Sequence, residues 1–313
     1  MKKVIRLVVL ILAGIVVLIC VLFGYSDRSV DELSSKYAQA PSDFVELMGM
    51  NVHFRDEGNP QDSMPVVLLH GTGSSLHTFD SWTEILKESN RVIRLDLPGF
   101  GLTGPFPTRN YSMDRYVEFV ASFLSARNIT QCVLAGNSLG GHIAWQFTLR
   151  HPEMVDKLIL IDAAGFPLKS TSVPMAFKMA RTPALNKILT FITPQFVVQS
   201  SVYNVYADKS KVTDELVDRY FDLSLRAGNR QALIDRMQMP FDENEVEQIT
   251  TISQPTLILW GAEDGLIPAE SAYRFQNYLP NDTLVILKNS GHVPMEENPE
   301  ESLEAVLAFI GSK

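Results

Sequence analysis

The sequence predicts an α/β fold, a doubly wound and mostly parallel eight-stranded sheet with a block of helices inserted after the sixth strand. Three observations predict it. Short runs of Val, Ile and Leu recur from Phe44 onward, and runs such as "PVVLLHG", "KLILIDAAG" and "PTLILWGAED" are continuous rather than alternating. Continuous apolar strands suit a sheet covered on both faces. Helix-like segments separate the runs, which implies parallel pairing through crossover connections. The interval from Gly165 to Ile252 breaks this rhythm: it carries no strong strand and is rich in Phe, Met, Val and Pro.

The 313 residues are 46% hydrophobic and 20% charged, which is globular in character and within reach of one large domain. A net charge of −9 and a pI near 5.2 argue against nucleic acid as a partner, because phosphate binding needs a concentrated basic surface. Cys20 and Cys132 suggest no disulfide framework.

The first segment differs from the rest. "MKKVIRLVVLILAGIVVLICVLFGY" opens with Lys2, Lys3 and Arg6 and is then uncharged from Leu7 to Tyr25. At about 1.5 Å per residue, Val4 to Phe23 reaches about 30 Å, one bilayer core, with Arg6 able to snorkel. Cleaved signals have a shorter apolar region and an A-x-A-like site, which "GYS" imitates poorly. Residues 1–25 are therefore expected to be a transmembrane anchor, with its basic end cytoplasmic and the remainder of the chain extracytoplasmic. Residues 26–42 are polar enough to read as a linker.

Residues 43–165 and 253–313 are expected to form the sheet-containing core. "FVELMGMNVHFRDEG" reads as a hairpin turning near Gly49, and "PVVLLHG", "RVIRLDLPG", "QCVLAGNS", "KLILIDAAG", "PTLILWGAED" and "TLVILKNSG" follow as strands. Residues 166–252 are expected to be a helical cap, its helices punctuated by Pro174, Pro183 and Pro194. Apolar cap residues such as Phe177 and Phe196 are read as packing before pocket lining. In doubly wound sheets active groups collect beyond the strand carboxyl ends, so the polar residues that matter should sit where these runs stop.

"VLAGNSLGGHIAWQF" places Ser138 at such an end, among Gly136, Gly140 and Gly141. A G-x-S-x-G match alone is weak. Preceded by an apolar strand and followed by a helix, it becomes a strained elbow whose neighbours must be small and whose serine is a candidate nucleophile. A serine hydroxyl needs a base. Of the six histidines, His53, His142 and His151 read as packing or capping, His70 as supporting its own loop, and His77 has no evident role. His292, in a loop between the final strand and the C-terminal helix, is the candidate base. The imidazole needs a carboxylate to fix its tautomer. Asp264, just past the penultimate strand, is the candidate and Asp162 its rival, while Glu263 should point elsewhere. Asp96 reads as holding a loop. For an oxyanion hole, one N–H would come from Leu139 and the other from Thr72, with Gly73 second. This chemistry calls for no cofactor and no metal.

From Phe44 onward the chain resembles an α/β-hydrolase, on the strength of "HGTGSS", "DLPGFG", "GNSLGGH", "WGAEDGLIP" and "SGHVPMEENPE". The resemblance implies Ser138, Asp264 and His292 as a catalytic triad, and Thr72 with Leu139 as the oxyanion hole. Haloalkane dehalogenases and epoxide hydrolases carry aspartate at the elbow, so Ser138 disfavours their chemistry. An anchor joined to a capped serine hydrolase is similar to membrane-bound monoacylglycerol lipases. The expected function is hydrolysis of an apolar ester or lipid. The alternatives are a C–C bond hydrolase of the meta-cleavage-product type, with Arg181 or Arg230 meeting a substrate carboxylate, and a non-catalytic receptor on the same fold.

Overall fold

The computed structural model describes residues 2–167 and 169–311. Eight strands form one sheet: β1 (Ser42–Leu47), β2 (Met50–Glu57), β3 (Val66–Leu69), β4 (Val92–Leu95), β5 (Cys132–Asn137), β6 (Val155–Ile161), β7 (Thr256–Gly261) and β8 (Asp282–Leu287). Their spatial order is β1-β2-β4-β3-β5-β6-β7-β8. β1 and β2 form the expected antiparallel hairpin, with Met48 and Gly49 both at positive φ in its two-residue turn. β2 is also antiparallel to β4, and every later pairing is parallel.

The helices are α1 (Lys2–Phe23), α2 (Val30–Tyr37), α3 (Asp80–Leu86), α4 (Met113–Ala126), α5 (Leu139–Arg150), α6 (Met175–Arg181), α7 (Leu185–Leu189), α8 (Gln195–Val205), α9 (Asp214–Ser224), α10 (Asn229–Met237), α11 (Glu270–Tyr278), α12 (Pro294–Glu297) and α13 (Pro299–Gly311). β3, β5 and β7 are buried at every residue because helices cover both sheet faces. Val67, Leu69, Leu134, Leu158 and Ile258 face α4, α5 and α11; the alternate residues Val66, Leu68, Val133, Ile159 and Leu257 face α3 and α13. Period-two alternation of side-chain direction thus supplies two cores from one continuous apolar run. Across the second face, the Trp82 indole N–H donates to Ser302 Oγ at 3.0 Å, pinning α3 to α13.

Helices α6 to α10 lie between β6 and β7, as the proline-punctuated interval predicts. Pro174 and Pro194 sit at the N-caps of α6 and α8, where a missing N–H costs nothing.

The N-terminal helix α1 is 22 residues long with a mean hydropathy of 3.2 in its most apolar stretch, and that stretch is 0% buried, so it is long and apolar enough to cross a membrane. Its lower end is docked. Thr193 N–H donates to the Phe23 carbonyl and Tyr25 N–H to that of Phe191, both at 3.2 Å, and the Phe23 and Phe196 rings meet edge to face at 6.1 Å.

The segment 26–42, expected as a linker, is instead folded onto the cap. Ser29 and Glu32 form a capping box that starts α2, and Leu33 and Tyr37, one turn apart, are buried. Asp222 of α9 accepts from Arg28 at 2.7 Å, Lys36 at 3.1 Å and the Tyr37 hydroxyl at 2.8 Å. Sequence composition shows the polar face of this segment. The carboxylate that neutralises it lies far along the chain.

Candidate active site

Ser138 joins β5 to α5 and has φ 54° and ψ −113°, a backbone region that non-glycine residues rarely occupy. Three backbone hydrogen bonds hold it there: its N–H donates to Ile161 O, and its carbonyl accepts from His142 and Ala164, all at 3.0 Å. The elbow leaves no room for side chains beside it. A Cβ on Gly136 would meet the Gly140 carbonyl, and one on Gly140 would meet the Leu69 carbonyl, both far inside van der Waals contact. Leu139 is the first residue of α5, where an amide has no carbonyl within the helix to pair with.

The loop after β3 passes directly beside this elbow. A Cβ on Gly71 would come within 3.1 Å of Ser138 Cβ. His70 locks the loop: its Nε2 accepts from Leu97 N–H at 2.9 Å, so Nδ1 carries the proton and donates to the Gly71 carbonyl at 2.8 Å. Burial holds the His70 pKa below its usual value, which keeps that neutral tautomer. Asp96 anchors the adjoining loop, accepting from Leu76 N–H at 2.7 Å, Leu102 N–H at 2.8 Å and bonding His53 Nδ1 at 2.7 Å. His77, without a role in sequence, bridges Asp80 and the Tyr37 carbonyl.

His292 Nδ1 lies 2.6 Å from Asp264 Oδ2. Asp264 is fixed in turn, because its Oδ1 accepts from Leu266 N–H at 2.8 Å and Ile267 N–H at 3.0 Å. Both side chains are buried. Ser138, His292 and Thr72 line one cavity of about 110 Å³, and Asp264 stands behind the imidazole. The structure thus brings together the candidate nucleophile, base, acid and donor loop. Glu263 is exposed, as expected.

Asp162 is near but differently placed. Its Oδ1 accepts from Gly261 N–H at 2.9 Å, and its Oδ2 is buried without a hydrogen-bond partner of its own. Asp162, Asp264 and His292 present polar atoms all within 4.8 Å of one another. Burial, and then the Asp264 charge, push the Asp162 carboxyl well above its ordinary range. Asp162 is thereby biased towards its protonated form, while Asp264 is the carboxyl that bonds His292.

Two residues that hold this site were not singled out from sequence. Asn137 Nδ2 donates to the His292 carbonyl at 2.9 Å and to Ile161 O at 3.2 Å, tying the histidine loop to the elbow. Glu297 accepts from Gly291 N–H at 2.7 Å and from Asp208 N–H at 2.6 Å, tying that loop to the cap. Asn137 adjoins the serine, which was a usable signal. Glu297 offered none, since its partners are set by the fold.

The sheet order, the elbow and the inserted helices define an α/β hydrolase, and the chain belongs to the alpha/beta hydrolase fold family, whose pattern matches residues 64–299, about three quarters of its length. Among individual relatives, it is 27% identical over 298 residues to the 2-hydroxy-6-oxo-6-(2'-aminophenyl)hexa-2,4-dienoic acid hydrolase of Metapseudomonas resinovorans, covering 91% of this chain and 97% of that one. It is also similar to two solved structures. The meta-cleavage product hydrolase of Pseudomonas fluorescens IP01 superposes with a TM-score of 0.72 at 26% identity, over 86% of this chain and 97% of that one. A membrane phospholipase A, described as a bacterial virulence factor, superposes with a TM-score of 0.73 at 27% identity, over 99% of this chain and 98% of that one.

Proposed function

We propose that this chain is a membrane-anchored serine hydrolase of apolar carboxylic esters, lipid esters among them, with Ser138, His292 and Asp264 as its triad. One observation carries the reading: the chamber around Ser138 is walled by Pro174, Phe177, Val198, Val202 and Leu266, with hydroxyls of Ser201, Ser224 and Tyr220, and among the described residues no arginine or lysine lines it. Ser138 Oγ attacks the ester carbonyl as His292 takes its proton. The N–H groups of Thr72 and Leu139 would hold the developing oxyanion. Collapse expels the alcohol, which receives that proton, and leaves an acyl-enzyme. His292 then deprotonates a water, whose attack releases the carboxylic acid and restores Ser138.

The relatives named for dienoic acid substrates favour a second reading, C–C bond hydrolysis of a carboxylate-bearing diketo acid. The two arginines considered for that carboxylate lie outside the Ser138 chamber. Arg181 lines a different cavity, and Arg230, held at 2.6 Å by Asp27, lines an adjoining one that shares Ser74, Val198, Ser224 and Leu233 with the chamber. The discriminating experiment is fluorophosphonate labelling of the detergent-solubilised full chain, with Ser138→Ala as the blank, followed by turnover of p-nitrophenyl esters of graded acyl length, a monoacylglycerol and a dienoic diketo acid. Labelling with ester turnover that rises with acyl length supports the ester reading. Turnover confined to the diketo acid selects the second one, and a folded but unlabelled protein removes both and leaves a receptor.

The anchor reading draws support from the surface at its foot. Phe191 is 73% exposed and Phe196 55%, and both adjoin the end of α1. A bilayer crossed by α1 would meet these rings at its interface, on the extracytoplasmic side if the basic N-terminus stays inside. Each ring buried contributes about 1.5–3 kcal/mol. Phe191→Asp with Phe196→Asp is therefore expected to lower turnover of a vesicle-borne ester by roughly tenfold or more, leaving a soluble short-chain ester nearly unaffected. Equal losses on both substrates would count against the membrane-facing cap.

A further inference from the structure

A second cavity, of about 500 Å³, lies one helical turn further along α6 and α10 than the Ser138 chamber. Where Phe177 and Leu233 face the chamber, Arg181 and Met237 face this cavity, joined by Arg236. His142, one turn along α5 from Ser138, forms part of its wall, and Phe166 and Phe241 add aromatic surface.

Of the two arginines here Arg181 is exposed and Arg236 is half-buried, whereas several others in the chain meet a carboxylate. Arg94 meets Glu57 at 2.8 Å, Arg219 meets Glu296 at 2.5 Å and Arg230 meets Asp27 at 2.6 Å. Arg236 pairs with no carboxylate among the described residues, and its buried Nε has no acceptor. Burial, with Arg181 alongside, holds its pKa below the usual value, so its charge is uncompensated rather than offset. Three acids share the lining: Asp114 and Glu245 meet Arg150, and Asp242 accepts only from the neutral Asn244 among the described residues. His142 is 3% exposed, stacks on Trp145 with centroids 5.1 Å apart, and its buried Nε2 has no partner. Burial and the neighbouring arginines press its pKa down to about 3, so it is a neutral imidazole at physiological pH. A half-buried guanidinium with an unmet N–H is costly, and a cavity this size beside it has room for an anion.

We propose that this cavity binds a small organic carboxylate with an aromatic or short aliphatic body, its carboxylate on Arg236 and Arg181 and its body against Phe166 and Phe241. A planar guanidinium pairs with a carboxylate through two parallel hydrogen bonds, and the flanking rings supply apolar contact. The site is separate from the Ser138 chamber and does not depend on what that chamber hydrolyses.

Calorimetric titration of the detergent-solubilised full chain with benzoate, hexanoate, benzyl alcohol and inorganic phosphate tests this. Benzoate or hexanoate should bind, in wild type and in Ser138→Ala alike, and benzyl alcohol should not. Arg236→Gln should weaken binding by about tenfold or more, as loss of a charge-assisted pair does, and Arg181→Gln should weaken it less. Retained turnover of a soluble ester, or an unchanged melting midpoint if the chain proves inactive, shows that the variants fold. Binding unchanged in both arginine variants, loss of binding in Ser138→Ala, or binding of phosphate alone would each overturn the proposal.

Discussion

Ser138→Ala is expected to lower ester turnover on the order of 10⁶-fold, and Asp264→Asn about 10⁴-fold, while Asp162→Asn leaves it within about tenfold. Removing the hydroxyl would delete the acyl-enzyme route proposed for Ser138. Asparagine at 264 preserves shape but presents an amide to His292 Nδ1, and a neutral partner no longer steadies the imidazolium. Asp162 is different because burial and the acid beside it favour its protonated form, which a neutral amide of the same shape imitates. The same placement has a thermodynamic signature. A carboxyl whose pKa is raised on folding binds a proton that the unfolded chain has released, so stability falls as pH rises above the unfolded value near 3.8. Asp162→Asn should therefore raise the melting midpoint at pH 7, by a margin that shrinks towards pH 4. Steady-state kinetics and melting curves of the three variants check this together. Equal kinetic losses at positions 162 and 264 would reverse the assignment of the acid.

Gly140→Val is expected to disable the enzyme through its backbone. A branched side chain at this position meets the Leu69 carbonyl oxygen, which belongs to the sheet and cannot retreat without breaking β3 from its neighbours. Overpacking of this kind costs about 3 kcal/mol, equivalent to a melting midpoint lowered by roughly 5 °C for a chain of this size. Molecules that fold would carry Ser138 displaced, and a shift of about 1 Å reduces turnover by about 10². Differential scanning fluorimetry alongside fluorophosphonate labelling rates reads both effects. Wild-type values in both would mean that the elbow is looser than its contacts require.

The local features of this chain were open to reading from residues alone. The Met48-Gly49 turn, the continuous strands and the glycines around Ser138 each answer to sterics within a few positions, so the hairpin, the sheet and the elbow could be placed in advance. Proline spacing likewise marked the starts of α6 and α8. What escaped was set by distant partners. The segment 26–42 looked like a tether because Asp222, which gathers Arg28, Lys36 and Tyr37, lies far away in sequence. Glu297 looked like any acid in an acidic stretch until Gly291 and Asp208 were brought to it. Arg181 and Arg230 shared one expected role as cap-region partners of a carboxylate, and the fold sends them to different cavities.

Residues 23–37 attach mainly to the inserted helices, Phe23 to Thr193, Arg28 to Leu225 and Asp222, Tyr37 to Asp222, with one hydrogen bond to the core where His77 meets the Tyr37 carbonyl. If α1 is fixed in a bilayer, the roof over Ser138 is moored and the sheet hangs beneath it. Widening the passage for a bulky substrate would then swing the larger body outward while the smaller one stayed put, the reverse of a hinged flap lifting from a stationary base.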